Sequence, residues 1–171
     1  MSVRDISLPW ISTAESYMGL KEIPGARSNE TIMEWADNLG GWIDEYYTND
    51  DIPWCGLFVA ECMRANNIDF KIKNPLSARA WANFGEYTEP KFGAVMVFSR
   101  RGGGHVGFYV SEDNDTFHIL GGNQSNKVNV AKVSKGRFLE ARWPSEYALL
   151  KEDYSRIYKE FDGTVISYND E

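Results

Sequence analysis

At 171 residues the chain has the size of one domain, at about 100 to 200 residues each, and can bury roughly two-thirds of its unfolded surface without covalent staples. Hydrophobic residues at 43% and aromatic residues at 14% exceed what a disordered chain carries, and a mean hydropathy of -0.44 without a long uncharged apolar run excludes a membrane span. Eighteen Lys plus Arg against twenty-five Asp plus Glu leave a net charge of -7, which argues against nucleic acid or an anionic membrane as a general partner.

The first residues, Met1 to Asp5, lead into a polar amphipathic stretch. They lack the apolar core and small-residue cleavage site of a secretory signal, so any export is expected to use another route. Ser7-Leu8-Pro9 reads as a helix start, with Trp10, Ala14, Tyr17 and Met18 on one face and Gly19 as the stop. After the Pro24-Gly25 turn, Ser28 or Asn29 caps a second helix whose Ile32, Trp35, Ala36 and Leu39 share a stripe ending at Gly40-Gly41. Residues 42–51 carry Asp44, Glu45, Asp50 and Asp51 without sustained periodicity and read as a loop. From Pro53 a central helix opens, with Cys55, Phe58, Val59, Cys62 and Met63 on its buried face and Asn66-Asn67 at its end.

A short helix from Ser77 stops at Gly85, and from there the period changes to that of strands. Residues 94–98, 105–110, 116–120 and 127–133, with 147–150 as a further candidate, are short runs rich in Val, Ile, Phe and Tyr separated by turn residues. Helices followed by strands predict an α+β fold with an antiparallel sheet. The expected organisation is a single catalytic domain over 1–171, its core about 7–150, with the acidic segment 151–171 docking through a helix built on Tyr154, Ile157, Tyr158 and Phe161.

Two cysteines and two histidines leave few ways to assemble a nucleophile and a base. Cys55 sits at the first turn of its helix, where unpaired N–H groups and the positive end of the dipole favour a thiolate. Cys62 falls two turns on and reads as core. His105 follows Gly102-Gly103-Gly104 and opens a strand in which His105, Gly107 and Tyr109 face one way and Val106, Phe108 and Val110 the other. Gly107 would leave room on the histidine's face for the Cys55 helix to pack. A Cys–His pair needs a third group to hold the imidazole tautomer. Asn123 and Gln124, from Gly121-Gly122-Asn123-Gln124, and His118 are the candidates, with Asn123 favoured and His118, between Phe117 and Ile119, reading first as a half-buried sheet histidine.

Pro53-Trp54-Cys55-Gly56-Leu57-Phe58-Val59, Gly104-His105-Val106-Gly107-Phe108-Tyr109-Val110 and Leu120-Gly121-Gly122-Asn123-Gln124 resemble the CHAP (cysteine, histidine-dependent amidohydrolase/peptidase) and NlpC-type cysteine peptidases. The branch they look most like is a phage- and bacterium-associated one with a Trp-Cys helix start and a GGNQ turn. The similarity runs over about residues 10 to 145. It implies a papain-like fold that cleaves amide bonds of bacterial peptidoglycan, within the stem peptide or between muramic acid and L-alanine, with no cofactor. Cys55 would be the nucleophile, His105 the base and Asn123 the orienting residue, in a place where CHAP members often carry Glu and NlpC-type members His; His118, whose place resembles the third histidine of NlpC-type enzymes, is the reserve. Trp54, Tyr109 and Gln124 are expected to contact the substrate. The acidic residues 44–51 resemble in position the calcium loops of some CHAP enzymes, but match no EF-hand spacing.

Two readings from other classes compete. One is a zinc hydrolase using Cys55, His105 and His118; the other is a non-catalytic module that holds wall peptides on the same fold. As an enzyme the chain would act on the wall as a phage lysin or as a delivered antibacterial effector, the latter accompanied by an immunity protein.

Overall fold

The computed structural model describes residues 8–23, 29–46, 53–151 and 167–168. Helices precede a sheet, as the change of period predicts. Helix α1 (Pro9–Ser16) starts with Pro at its first position and buries Trp10, Ile11 and Ala14; Met18, expected on the same face, is largely exposed. Helix α2 (Glu30–Leu39) is capped by Asn29, whose Oδ1 accepts from the N–H groups of Thr31 at 2.9 Å and Ile32 at 3.3 Å. It ends on Gly40 at φ +67°.

The segment after it differs from expectation. Residues 41–46, read as loop, form a short helix α3 (Gly41–Tyr46) that packs on α2 through the buried Ile43. The period was hidden because one apolar anchor suffices for so short an element. Residues 47–52, which include Asp50 and Asp51, lie outside the described residues.

Helix α4 (Cys55–Arg64) is the central element: every residue from Cys55 to Met63 is buried. Even Glu61 is 2% exposed, its carboxylate held by both the Nε and a terminal nitrogen of Arg64. A helix buried all round needs close neighbours, and two glycines provide them. Gly56 lies against the Pro75 carbonyl, and a Cβ on Gly122 would stand 2.8 Å from Phe58 Cβ and from the Trp54 ring.

The sheet has the order β1-β6-β2-β3-β4-β5-β7. Its strands are β1 (Glu86–Tyr87), β2 (Val95–Arg100), β3 (Gly103–Glu112), β4 (Thr116–Gln124), β5 (Lys127–Ser134), β6 (Phe138–Trp143) and β7 (Ser167–Tyr168). The first six are joined antiparallel, and β7 pairs in parallel with β5. The fold is therefore α+β.

Strand β6 was passed over in the sequence although Phe138, Glu140 and Arg142 alternate with Leu139, Ala141 and Trp143. Its inward residues Ala141 and Trp143 are buried, and Trp143 meets Trp10 edge to face at 5.3 Å. Residues 147–150, a candidate strand, instead continue a 3₁₀ turn, Ser145–Tyr147, into helix α5 (Ala148–Lys151). Pro144 turns the chain there, and the Tyr147 carbonyl accepts from Trp143 Nε1 at 2.8 Å. The helix expected over 154–161 lies outside the described residues.

Candidate active site

Cys55 and His105 come to the same end of β3. The expectation that α4 would pack on the face of His105, Gly107 and Tyr109 is corrected by the Phe58 ring, which contacts Phe108 at 6.2 Å on the other face. Gly107 makes room for a sheet neighbour instead: a Cβ there would collide with Ile119. Cys55, at the start of α4, reaches the strand end, where its sulfur accepts a hydrogen bond from the backbone N–H of Val106, the residue after His105. Burial raises the thiol above its ordinary range. That N–H, the charge of Arg100 and the N–H groups of Gly56 and Cys55 itself pull it back toward the thiolate. Cys62, equally buried, has no such donors, and burial with the Glu61 charge holds it well above the ordinary thiol.

His105 is fully buried, and its Nε2 lies 2.8 Å from Gln124 Oε1. The amide's orientation is settled by its other end. Gln124 Nε2 donates to the carbonyls of Ile119 at 3.0 Å and Asn129 at 2.7 Å and to Asn129 Oδ1 at 2.9 Å. Flipping the amide would aim its oxygen at three acceptors and its NH2 at the ring. Oε1 therefore faces the imidazole, Nε2 carries the proton it accepts, and the basic lone pair is on Nδ1. Nδ1 is buried and has no hydrogen-bond partner among the described residues. Burial, with the charges of Arg100 and Arg137, brings the imidazole down to about 4 despite the opposing Gln124 hydrogen bond. Near neutral pH the resting pair is thus a thiol and a neutral imidazole.

The position beside the imidazole, expected for Asn123, is occupied by Gln124, and the cause is a β-bulge. Gly121 pairs with Asn129, but Gln124 pairs with Lys127, so β4 carries one extra residue between them. An extra residue reverses the alternation of side chains. Gln124 then shares the face of Gly121, where a Cβ would stand 2.8 Å from Gln124 Oε1. Asn123 takes the bulge's left-handed conformation at φ +56° and turns to the opposite side, into the cavity beside Cys55.

Neither expected aromatic contact reaches that cavity. Trp54 is fully buried, donates from Nε1 to Glu22 Oε2 at 3.0 Å and covers Gly122. Tyr109 is also fully buried, its hydroxyl donating to Glu112 Oε1 at 2.8 Å. Gln124, expected to touch substrate, is 1% exposed. His118 is engaged elsewhere, with Nδ1 2.6 Å from Ser111 Oγ and Nε2 3.0 Å from Asp113 Oδ2. The zinc reading fails on this placement: among the described residues no three His, Cys, Asp or Glu side chains stand together as ligands.

The cavity over Cys55 has a volume of about 420 Å³. Its floor and rim include Asn123, the open backbone of Gly102 to Gly104, and Arg79, Arg100 and Arg101. A second cavity of about 350 Å³, walled by the exposed Trp42 and Tyr46, shares Pro53, Leu76 and Ser77 with the first. Together they form one groove past Cys55. The arginines went unremarked in the sequence; the signal available was Arg100-Arg101 directly before the glycine run.

No curated protein and no solved structure matches this chain significantly. The family model of the CHAP domain matches residues 46–123, a stretch that contains Cys55 and His105 and ends one residue before Gln124. That match, together with a cysteine at a helix start, a histidine near the head of a strand and an antiparallel sheet, is consistent with the CHAP/NlpC-type cysteine peptidase superfamily and its papain-like α+β fold.

Proposed function

We propose that the chain is a cysteine hydrolase of peptidoglycan in which Cys55 is the nucleophile, His105 the base and Gln124 the residue that orients the base. The observation that carries this is the Gln124 contact to His105 Nε2, which leaves Nδ1 as the free, buried base. A CHAP domain is associated with peptidoglycan hydrolysis in general; the assignment of residues rests on the geometry.

As the scissile carbonyl approaches, the Cys55 proton passes to His105 Nδ1 and the sulfur attacks the carbonyl carbon. Charge on the carbonyl oxygen is met by the N–H of Cys55 at the helix start, one of the groups that already favour negative charge on the sulfur. The imidazolium, its Nε2–H held by Gln124, returns the proton from Nδ1 to the leaving amine. Water activated by the same nitrogen then releases the acyl group. Asn123 and the Gly102–Gly104 backbone border the acyl site, and Trp42 and Tyr46 extend the groove with a surface on which a sugar ring can stack. The bond cut is an amide of the stem peptide or the muramoyl–L-alanine link. The biological setting is a phage lysin or a delivered antibacterial effector, acting on the wall after holin, virion or secretion-system delivery.

The test is digestion of purified sacculi by wild type and Cys55→Ala, with the released fragments identified by mass spectrometry. Cleavage by wild type alone is expected, and the fragment masses name the bond. Equal cleavage by both proteins, or by neither across several wall chemotypes, would refute the reading in favour of a different reaction or of a binding module.

A further inference from the structure

The cavity over Cys55 is lined by three arginines and, among the described residues, by no carboxylate. The arginines come from two parts of the chain. Arg100 ends β2 and Arg101 begins the turn into β3, while Arg79 lies on the 3₁₀ segment Ala78–Asn83 and is tied to that turn by an Nε hydrogen bond to the Gly103 carbonyl at 2.9 Å. That bond engages only Nε, and among the described residues no hydrogen bond or ion pair takes up the terminal nitrogens of Arg79. Arg101 is exposed and makes no ion pair among the described residues. Gly102 and Gly103, between the two groups, have open space where side chains would stand. The result is a cationic rim whose backbone does not block a ligand. The protein as a whole is acidic at -7, so its net charge does not account for positive charge concentrated there.

Building on the hydrolase reading, we propose that this rim is a carboxylate-binding subsite: Arg79 and Arg101, beside Arg100, engage a free carboxylate on the residue flanking the scissile amide. The preferred substrates are then stem peptides whose isoglutamyl or diaminopimelyl carboxyl group is unmodified, and amidated walls are poor substrates. Planar guanidinium groups match carboxylate geometry two oxygens at a time, which a diffuse positive field does not do. Arg100 also acts on the chemistry directly, since its charge favours the Cys55 thiolate. An anionic group brought near would weaken that effect unless the neighbouring arginines neutralise it, which is the part Arg79 and Arg101 play.

The experiment compares synthetic stem peptides carrying a free carboxylate with those carrying a carboxamide, at the isoglutamyl position in one pair and at the diaminopimelyl position in the other. Hydrolysis is measured with wild type and with the double variant Arg79→Gln/Arg101→Gln, and binding of the same peptides with Cys55→Ala by calorimetry. A charge-assisted pair of this kind supports about a ten- to hundredfold preference in kcat/KM for the carboxylate form in one pair, with the double variant bringing the ratio toward one. The pair that shows the preference identifies which carboxyl group is read. Equal hydrolysis of both forms by wild type, or a preference that survives in the double variant, would overturn the subsite while leaving the hydrolase reading intact. Carboxylate-selective binding to Cys55→Ala that is lost when the two arginine changes are added, without hydrolysis by wild type, would support the subsite and sink the hydrolase reading.

Discussion

Replacing Gln124 by Met tests how the imidazole is held. The change keeps approximate length and volume but removes the acceptor for His105 Nε2–H and the donors to Ile119 and Asn129. A buried polar group left without its partner costs about 1–3 kcal/mol, and the imidazole escapes part of that cost by turning or by moving its proton to Nδ1. Either response removes the base from the nucleophile. At 1.4 kcal/mol per factor of ten, kcat/KM is expected to fall about ten- to a hundredfold. Asn123→Ala, which alters only the cavity wall, should stay within about threefold. Because Asn129 also donates to the Gln124 carbonyl at 3.0 Å, the variant will lose some stability, so folded fraction must be measured by urea titration alongside activity. Alkylation of Cys55 by iodoacetamide supplies a readout that needs no peptidoglycan: its rate should fall in Gln124→Met and remain near wild type in Asn123→Ala. A larger loss in Asn123→Ala than in Gln124→Met, by both measures, would refute the assignment and return the orienting role to Asn123.

Cys55→Ala and His105→Ala should each abolish hydrolysis while retaining a cooperative urea transition, measured on the same preparations. The acid limb of kcat/KM should lie near 4 rather than at the ordinary imidazole value, because His105 works as a base only when neutral and is held at about 4; a limb near 6.5 in a pH–rate profile would contradict it. The same depression links pH to stability. Below about 6.5 the unfolded chain takes up a proton that the native imidazole refuses until about 4, so stability is full above that window and declines through it by about 3 kcal/mol. His105→Ala should flatten this part of the stability profile. Gly56→Ala, although it improves helix propensity by about 1 kcal/mol, forces a Cβ into the Pro75 carbonyl and is expected to destabilise by on the order of 3 kcal/mol in urea titration.

What the sequence made legible, and what it did not, divides by whether the needed information is local. The helix that opens at Cys55 was readable because its apolar spacing, its proline entry and its asparagine exit all lie within fifteen consecutive positions, and the strand carrying His105 was readable for the same reason. Asn123 and Gln124 could not be told apart locally. Adjacent strand residues face opposite sides, and which side each takes depends on a bulge whose existence is defined only by pairing with Asn129 and Lys127 across the hairpin. The choice of sheet face for α4 fails in the same way. Gly107 and Gly122 are both small enough to admit a helix, and only the assembled sheet decides that Ile119 fills the space at one while Phe58 and Trp54 fill it at the other. Trp54 was drawn toward the groove by its place beside Cys55, yet one step along a helix start turns a side chain by about 100°, enough to carry the indole to Glu22 and away from substrate. The arginine rim joins residues 79 and 100–101 through the packing of a 3₁₀ segment on β2 and β3. Local pattern thus located Cys55 and His105, while the orientation of the imidazole and the charge of the groove arose from pairings between distant segments. The residues that set selectivity in this chain are therefore to be sought where such segments meet, on the arginine side of the groove and in the bulge at 121–124.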